Sequence, residues 1–315
     1  MCTAIKHKNF VGRNLDVYKV YGEEVIITPR GYAFSFRKEE NIINHYAIIG
    51  IGAVSRGYPL YFDAANEAGL YMAGLNYVGN AYYSPSISGM VNLAPFELMP
   101  YILSKCKNTE EAEKELSKIH LTDIPFSREL PSSELHWIVA DKERTLTAEP
   151  DKNGINIYDN PTGVLSNNPS FPLQLFNLND FLGLDVCAPT NTFSPELKLS
   201  LYSEGMGAIG LPGDLSSKAR FVRAVFHRSH ARGDDGLSSI FHLLSSVEMP
   251  DGSVRVGDSY ERTEYTSAVN LATMTYYYRT YESASISAVR LFKEDIDTSS
   301  LITFPMSKYD PVYQN

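Results

Sequence analysis

The chain has 315 residues, 43% hydrophobic and 21% charged, enough apolar material to bury a sizeable core without covalent staples. With 28 Lys and Arg against 37 Asp and Glu, the formal charge is −9, which excludes a phosphate-tracking nucleic-acid surface. Three widely spaced cysteines, Cys2, Cys106 and Cys187, suit neither a disulfide framework nor a CxxC metal site, and they imply a reducing compartment. Met1 to Phe10 carries Lys6, His7 and Lys8 and lacks the apolar stretch of a signal peptide, and no run approaches a membrane span. A soluble, cytoplasmic protein with no membrane or nucleic-acid partner is expected.

In chain order, the first block reads as strands over Thr3–Ile5, Phe10–Asn14, Glu24–Thr28, Tyr46–Ala53 and Gly69–Leu75, punctuated by Gly, Pro and Asn. Helical patterns follow at Pro95–Cys106, where Pro100 interrupts the middle, and at Thr109–Ile119, with Ala112, Leu116 and Ile119 on one face. Strands return at Leu135–Ala140, Leu146–Glu149, Ile155–Tyr158 and Gly163–Ser166, with Asn153-Gly154 as a turn. A helix near Leu173–Phe181 and an irregular Pro/Gly stretch lead to helices at Ser217–Ala231 and Leu237–Val247. Strands at Tyr265–Leu271, Met274–Thr280 and Ser285–Leu291 close the pattern. Blocks of strands and blocks of helices, rather than βαβ alternation, predict an α+β class with packed sheets and helices outside. No repeat or linker marks a boundary, so one domain over 1–315 is expected.

Cysteine at position 2 is the first chemical signal. Removal of Met1 would leave a thiol and a free α-amine on one residue, and these groups titrate near ~8.5 and ~7.7–8, so the amine can take the thiol proton at little cost. By itself Cys2 is more often an inert small residue. Arg13 and Asp16, in Gly12-Arg13-Asn14-Leu15-Asp16, follow a turn near Lys8-Asn9 that can return them to Cys2. An Arg there favours a thiolate by its charge and an Asp can orient the amine, although an anonymous RxxD reads first as a surface ion pair. Asn76 and Asn167 each end a strand pattern; a neutral amide suits an oxyanion hole, and turn-making is the blander reading. Arg220 enters the first turn of a helix after Leu211-Pro212-Gly213-Asp214, where a cation opposes the macrodipole, and a snorkelling surface Arg is its plain alternative.

The ordered set changes that balance. Met1-Cys2-Thr3-Ala4-Ile5, the segment 12–16, Thr28-Pro29-Arg30, Asn66-Glu67-Ala68-Gly69-Leu70 and Ala73-Gly74-Leu75-Asn76 are followed by Leu135-His136-Trp137, Gly163-Val164-Leu165-Ser166-Asn167, Leu211–Asp214 and Tyr265-Thr266-Ser267. In order and spacing, nearly end to end, these segments resemble the bile salt hydrolase (choloylglycine hydrolase) family. The resemblance implies an αββα sandwich of two antiparallel sheets between helical layers, assembled as a homotetramer, with Met1 removed and no metal or cofactor. It further implies Cys2 as nucleophile and amine base, Arg13 near the thiol, Asp16 on the α-amine, Asn76 and Asn167 at the oxyanion and Arg220 as a further polar member. The implied substrate is a glycine- or taurine-conjugated bile acid, with Tyr18, Val20, Tyr21, Leu60, Phe62 and Phe126 as candidate walls of its slot. Penicillin V acylases share the nucleophile, and they or another N-acyl amide hydrolase remain the enzyme alternative, with an inactive bile-acid binder as the non-enzyme one. The family's bile salt hydrolases typically carry Asn at position 76, where the penicillin V type has Tyr. The chain departs from the family pattern at Ala268-Val269, where a cysteine pair is frequent, and in a short first hairpin. A Cys–His hydrolase through His136 is disfavoured, because an apolar strand surrounds that residue.

Overall fold

The computed structural model describes residues 1–233 and 236–310. Its strands are β1 Cys2–His7, β2 Phe10–Val17, β3 Glu24–Thr28, β4 Ile48–Ser55, β5 Tyr58–Asn66, β6 Tyr71–Asn76, β7 Val91–Leu93, β8 Ile119–Leu121, β9 Leu135–Ala140, β10 Thr145–Asp151, β11 Gly154–Asp159, β12 Val164–Leu165, β13 Val254–Val256, β14 Ser259–Asn270, β15 Thr275–Thr280, β16 Ser283–Arg290 and β17 Ile302–Pro305. The helices are α1 Leu98–Lys105, α2 Thr109–Leu116, α3 Phe171–Asn177, α4 Ser217–His230 and α5 Gly236–Ser245.

The strands form two antiparallel sheets. The first runs β12-β1-β2-β14-β15-β16, with β13 paired to β14; the second runs β11-β10-β9-β6-β5-β4-β3-β17, and β7 with β8 makes a small parallel pair. In the Val25-Ile26-Ile27 run every residue is buried, because alternate side chains face different cores. Val25 and Ile27 join Leu15, Ile49, Ala73, Leu75 and Tyr265 between the sheets, while Ile26 joins Met72, Trp137 and Val139 under α1 and α2. On the far side of the first sheet, α4 and α5 contribute Phe221, Ile240 and Leu244. The order of layers is therefore helix, sheet, sheet, helix, as the αββα expectation has it.

Several boundaries differ from the sequence reading. β5 was absent from it: Pro59 and the buried Asp63 break the apolar pattern, but β6 pairs only with Asp63, Ala64 and Ala65, so Pro59 lies where no ladder bond on that side is needed. The expected helix at Pro95 opens as a 3-10 turn, Pro95–Glu97, and Pro100 is tolerated because it lies in the first turn of α1, where its missing N–H has no intrahelical partner. α2 stops at Leu116, and Ile119 starts β8 instead of ending the helix. α3 starts two residues before Leu173 and ends at Asn177, passing into a 3-10 turn over Leu178–Phe181. Among the described residues no helix is long and apolar enough to cross a membrane.

Candidate active site

The hairpin register places Arg13 at Cys2. β1 and β2 turn at Lys8-Asn9, with Lys8 in the left-handed region at φ 53° and its ammonium bonded to the Gly233 carbonyl. Cys2 then pairs with Leu15 and Ala4 with Arg13, so Cys2 and Arg13 are diagonal neighbours on the face toward the second sheet. Arg13 is fully buried. Its Nη2 donates to the Cys2 thiol, and its Nη1 donates to the carbonyls of Phe62 at 2.9 Å and Gly74 at 2.7 Å. Burial pulls its pKa down, but the facing Cys2 thiol, Tyr265 and Asp63 outweigh this and hold it above the ordinary value.

The opposite face of the hairpin carries the ionic members. Thr3 and Asp16 point there, and Arg220 comes across from α4, which Ser216 caps by accepting from the Ala219 amide at 3.3 Å. Arg220 Nη1 donates to the Cys2 carbonyl at 2.6 Å and to Thr3 Oγ1, and it lies 3.9 Å from Asp16 Oδ2; Nη2 donates to Asn167 Oδ1 at 2.8 Å. These bonds account for a cation near a helix N-terminus. Burial lowers the Arg220 pKa and Asp16 opposes that shift; burial likewise raises Asp16, against Arg220, the chain terminus and the Thr263 hydroxyl, which donates to Asp16 Oδ1 at 2.6 Å.

Asn167 lies on the chain just after β12. Leu165 pairs with Ala4, so two residues further on the chain reaches Cys2, whose backbone nitrogen donates to Asn167 Oδ1 at 2.8 Å. Asn167 Nδ2 donates to the Asn76 carbonyl at 2.7 Å, tying the end of β6 to the same cluster. Met1 is present ahead of Cys2, and its ammonium donates to the Asp16 carbonyl at 2.5 Å and to Glu261 Oε1 at 3.0 Å. Asp16 Oδ2 is buried without a hydrogen-bond partner, an acceptor left unsatisfied beside the Cys2 nitrogen's cluster.

Cys2, Arg13 and Asn76 open on a cleft of about 360 Å³, within the usual size range of small-molecule sites. Tyr21, Leu60, Phe62 and Phe126 stand on its wall, whereas Tyr18 and Val20 are more than half exposed and outside the lining. Tyr21 folds back on Phe62, ring centroids 6.0 Å apart; Phe126 meets Phe96 edge-on at 5.2 Å, with the Arg37 guanidinium over both rings. Sequence reasoning missed Leu15, Val17, Phe96, Met99, Leu130 and Leu135 as lining. Leu15 and Val17 were findable by two-residue alternation from Arg13 and Leu135 lies in the Leu135-His136-Trp137 segment, whereas Phe96, Met99 and Leu130 come from distant segments with no motif. Among the described residues no group of three or more His, Cys, Asp or Glu is placed to hold a metal.

Two sheets between helical layers, with the thiol, nitrogen and carbonyl of Cys2 each met by a separate side chain beside an apolar cleft, are the frame of an amide hydrolase of the N-terminal-nucleophile fold. The chain belongs to the choloylglycine hydrolase family of linear amide C–N hydrolases, whose profile matches residues 2–304. It is 48% identical over 314 residues to a bile salt hydrolase/transferase of Lactiplantibacillus plantarum, covering 97% of each chain. It is 35% identical to a conjugated bile acid hydrolase of Lactobacillus gasseri, covering 96% of this chain and 100% of that one. Among solved structures, a conjugated bile acid hydrolase variant from Clostridium perfringens superposes with a TM-score of 0.94 at 30% identity, covering 100% and 99% of the two chains. A penicillin V acylase from Agrobacterium tumefaciens shares the fold, with a TM-score of 0.76 at 18% identity over 98% and 94% of the chains.

Proposed function

We propose that this enzyme cleaves the amide joining a bile acid to glycine or taurine, through a thioester on Cys2. The observation that carries the reading is the Arg13–Cys2 contact on the wall of an apolar, aromatic cleft, in a chain whose full-length relatives are named a bile salt hydrolase/transferase and a conjugated bile acid hydrolase. Tyr21, Leu60, Phe62 and Phe126 would face the steroid.

Removal of Met1 turns the Cys2 nitrogen into an amine with donors for both Asn167 Oδ1 and the unpartnered Asp16 Oδ2. The amine takes the thiol proton, and sulfur attacks the amide carbon. Asn76 and the remaining N–H of Asn167 Nδ2 donate to the oxyanion that forms. Collapse breaks the C–N bond as the amine returns the proton to the leaving nitrogen, and water activated by the same amine then hydrolyses the thioester. Arg220 holds the Cys2 carbonyl and the Asn167 amide while the bonds to carbon change. Operation in the cytoplasm as a homotetramer belongs to the same proposal; the compartment rests on the three unpaired cysteines and the composition of Met1 to Phe10, and the tetramer on the family resemblance.

The test is amino-acid release from glycocholate and taurocholate beside penicillin V, on protein whose mass shows Met1 absent. Release from the bile salts with little attack on penicillin V is expected. The reverse preference would make this an acylase, and no release from any of the three would move the activity to another N-acyl amide.

A further inference from the structure

His136 lies outside the machinery described so far, yet two of the site's asparagines are reached through it. It is fully buried on β9, across from Leu75 of β6, in the register that puts Leu135 opposite Asn76. Its Nε2 lies 2.7 Å from the Ser166 carbonyl, and a carbonyl only accepts, so this nitrogen carries a proton and donates. Its Nδ1 lies 3.0 Å from Glu149 Oε1. Glu149 in turn accepts from the Phe171 amide at 2.9 and 3.1 Å, which fixes the carboxylate against the start of α3. The Tyr77 ring stacks on the imidazole, centroids 4.4 Å apart and planes 6° from parallel. One ring thus touches the residue after Asn76 on its face and the residue before Asn167 at its edge, and the Asn167–Asn76 bond closes the loop.

We propose that His136, locked by Glu149, is the positioning residue for the pair Asn76 and Asn167. Substrate does not meet it. The imidazole sets the spacing between the end of β6 and the chain after β12, two segments that belong to different sheets and share no ladder. Gln174 supports the same segment from α3, donating toward the Asn167 and Asn168 carbonyls at 3.3 Å each, but it does not reach the β6 side. The kinetic consequence rests on the amide-hydrolase reading; the structural consequence does not.

Two amide replacements separate the ring's two bonds. In His136→Asn the side-chain nitrogen falls near the place of Nδ1 and the donor to Ser166 is lost; in His136→Gln it falls near the place of Nε2 and that donor is kept. Both lose the ring and its stack, so their difference reads the Ser166 bond. The Asn variant is expected to lower kcat about 100-fold, the effect of removing one oxyanion donor. KM should stay within about threefold and the rate of Cys2 alkylation by iodoacetamide should be unchanged, while the Gln variant regains about tenfold of the loss. A crystal structure of the Asn variant should show Asn167 parted from the Asn76 carbonyl. Equal kcat in the two variants, or an undisturbed Asn167–Asn76 bond, overturns the proposal. If the unsubstituted protein cleaves no bile salt, the functional reading fails and the crystallographic result still decides this one. Should the Asn variant not fold, Glu149→Ala unlocks the same ring and is expected to lower kcat about tenfold; an unaltered kcat there overturns the proposal as well.

Discussion

Cys2 and Cys106 are the same side chain in opposite circumstances. Both are buried, but Cys106 packs among Leu98, Ile102 and Leu116, and burial followed by the charges of Glu115 and Glu111 pushes its thiol up to about 12. Cys2 instead accepts from Arg13 and opens on the cleft. Iodoacetamide at pH ~8 is therefore expected to modify Cys2 with loss of activity and to leave Cys106 untouched until the chain is denatured. In Cys2→Ala, turnover should vanish while Tm moves by less than about 3 °C, because Arg13 loses the sulfur but keeps its bonds to the Phe62 and Gly74 carbonyls. Residual turnover in that variant would remove the nucleophile from the proposal. The polar members were singled out by the ordered family segments: taken one at a time, Arg13 and Asp16 read first as a surface ion pair, Asn76 and Asn167 as turn residues and Arg220 as a snorkelling cation. Tyr18 and Val20 misled because their apolar chemistry was read without the loop that turns them outward after β2.

At the scale of elements, period-two patterning located most strands of both sheets, since a strand buried on one or two faces writes its register into alternate residues. It failed where a short or edge strand needs little apolar content, as in β7, β13 and β17, and where β5 carries a buried carboxylate. Helix ends were less legible: tertiary packing, not propensity, decides that Ile119 pairs with Val91 in a parallel strand. The closest packing between elements is invisible to patterning. Gly12 of β2 faces β14, and a Cβ there would lie 2.0 Å from the Ser267 carbonyl oxygen and 2.8 Å from Ala268 Cα. Both obstacles are backbone, so neither can rotate away. Gly12→Ala is expected to destabilise by about 3 kcal/mol, lowering Tm by about 6 °C, and to reduce turnover because Arg13 is the next residue. A variant as stable as the parent would show that β2 and β14 can part without cost.

The whole molecule is stitched through its centre by Asp63. This carboxylate, buried between the sheets, accepts from Tyr265 at 2.8 Å, Ser267 at 3.1 Å, Tyr71 at 3.3 Å and Tyr276, joining β5 and β6 of one sheet to β14 and β15 of the other. Burial raises its pKa, against Arg13 and the hydroxyls. Above the ordinary aspartate value near ~4, the folded chain then holds a proton that the unfolded chain has released, so Asp63 makes stability fall as pH rises through that window. The Tm difference between the parent and Asp63→Asn should accordingly shrink or reverse as pH is raised from about 4 toward the shifted value; a difference constant with pH would mean the carboxyl titrates alike in both states. The N-terminus has a different reach. Because the Met1 ammonium is held between the Asp16 carbonyl and Glu261, the residue ahead of Cys2 has a berth of its own in the fold. On the proposed mechanism, anything fused ahead of Cys2 keeps its nitrogen an amide, so an engineer testing that mechanism would attach a purification handle at the other end of the chain.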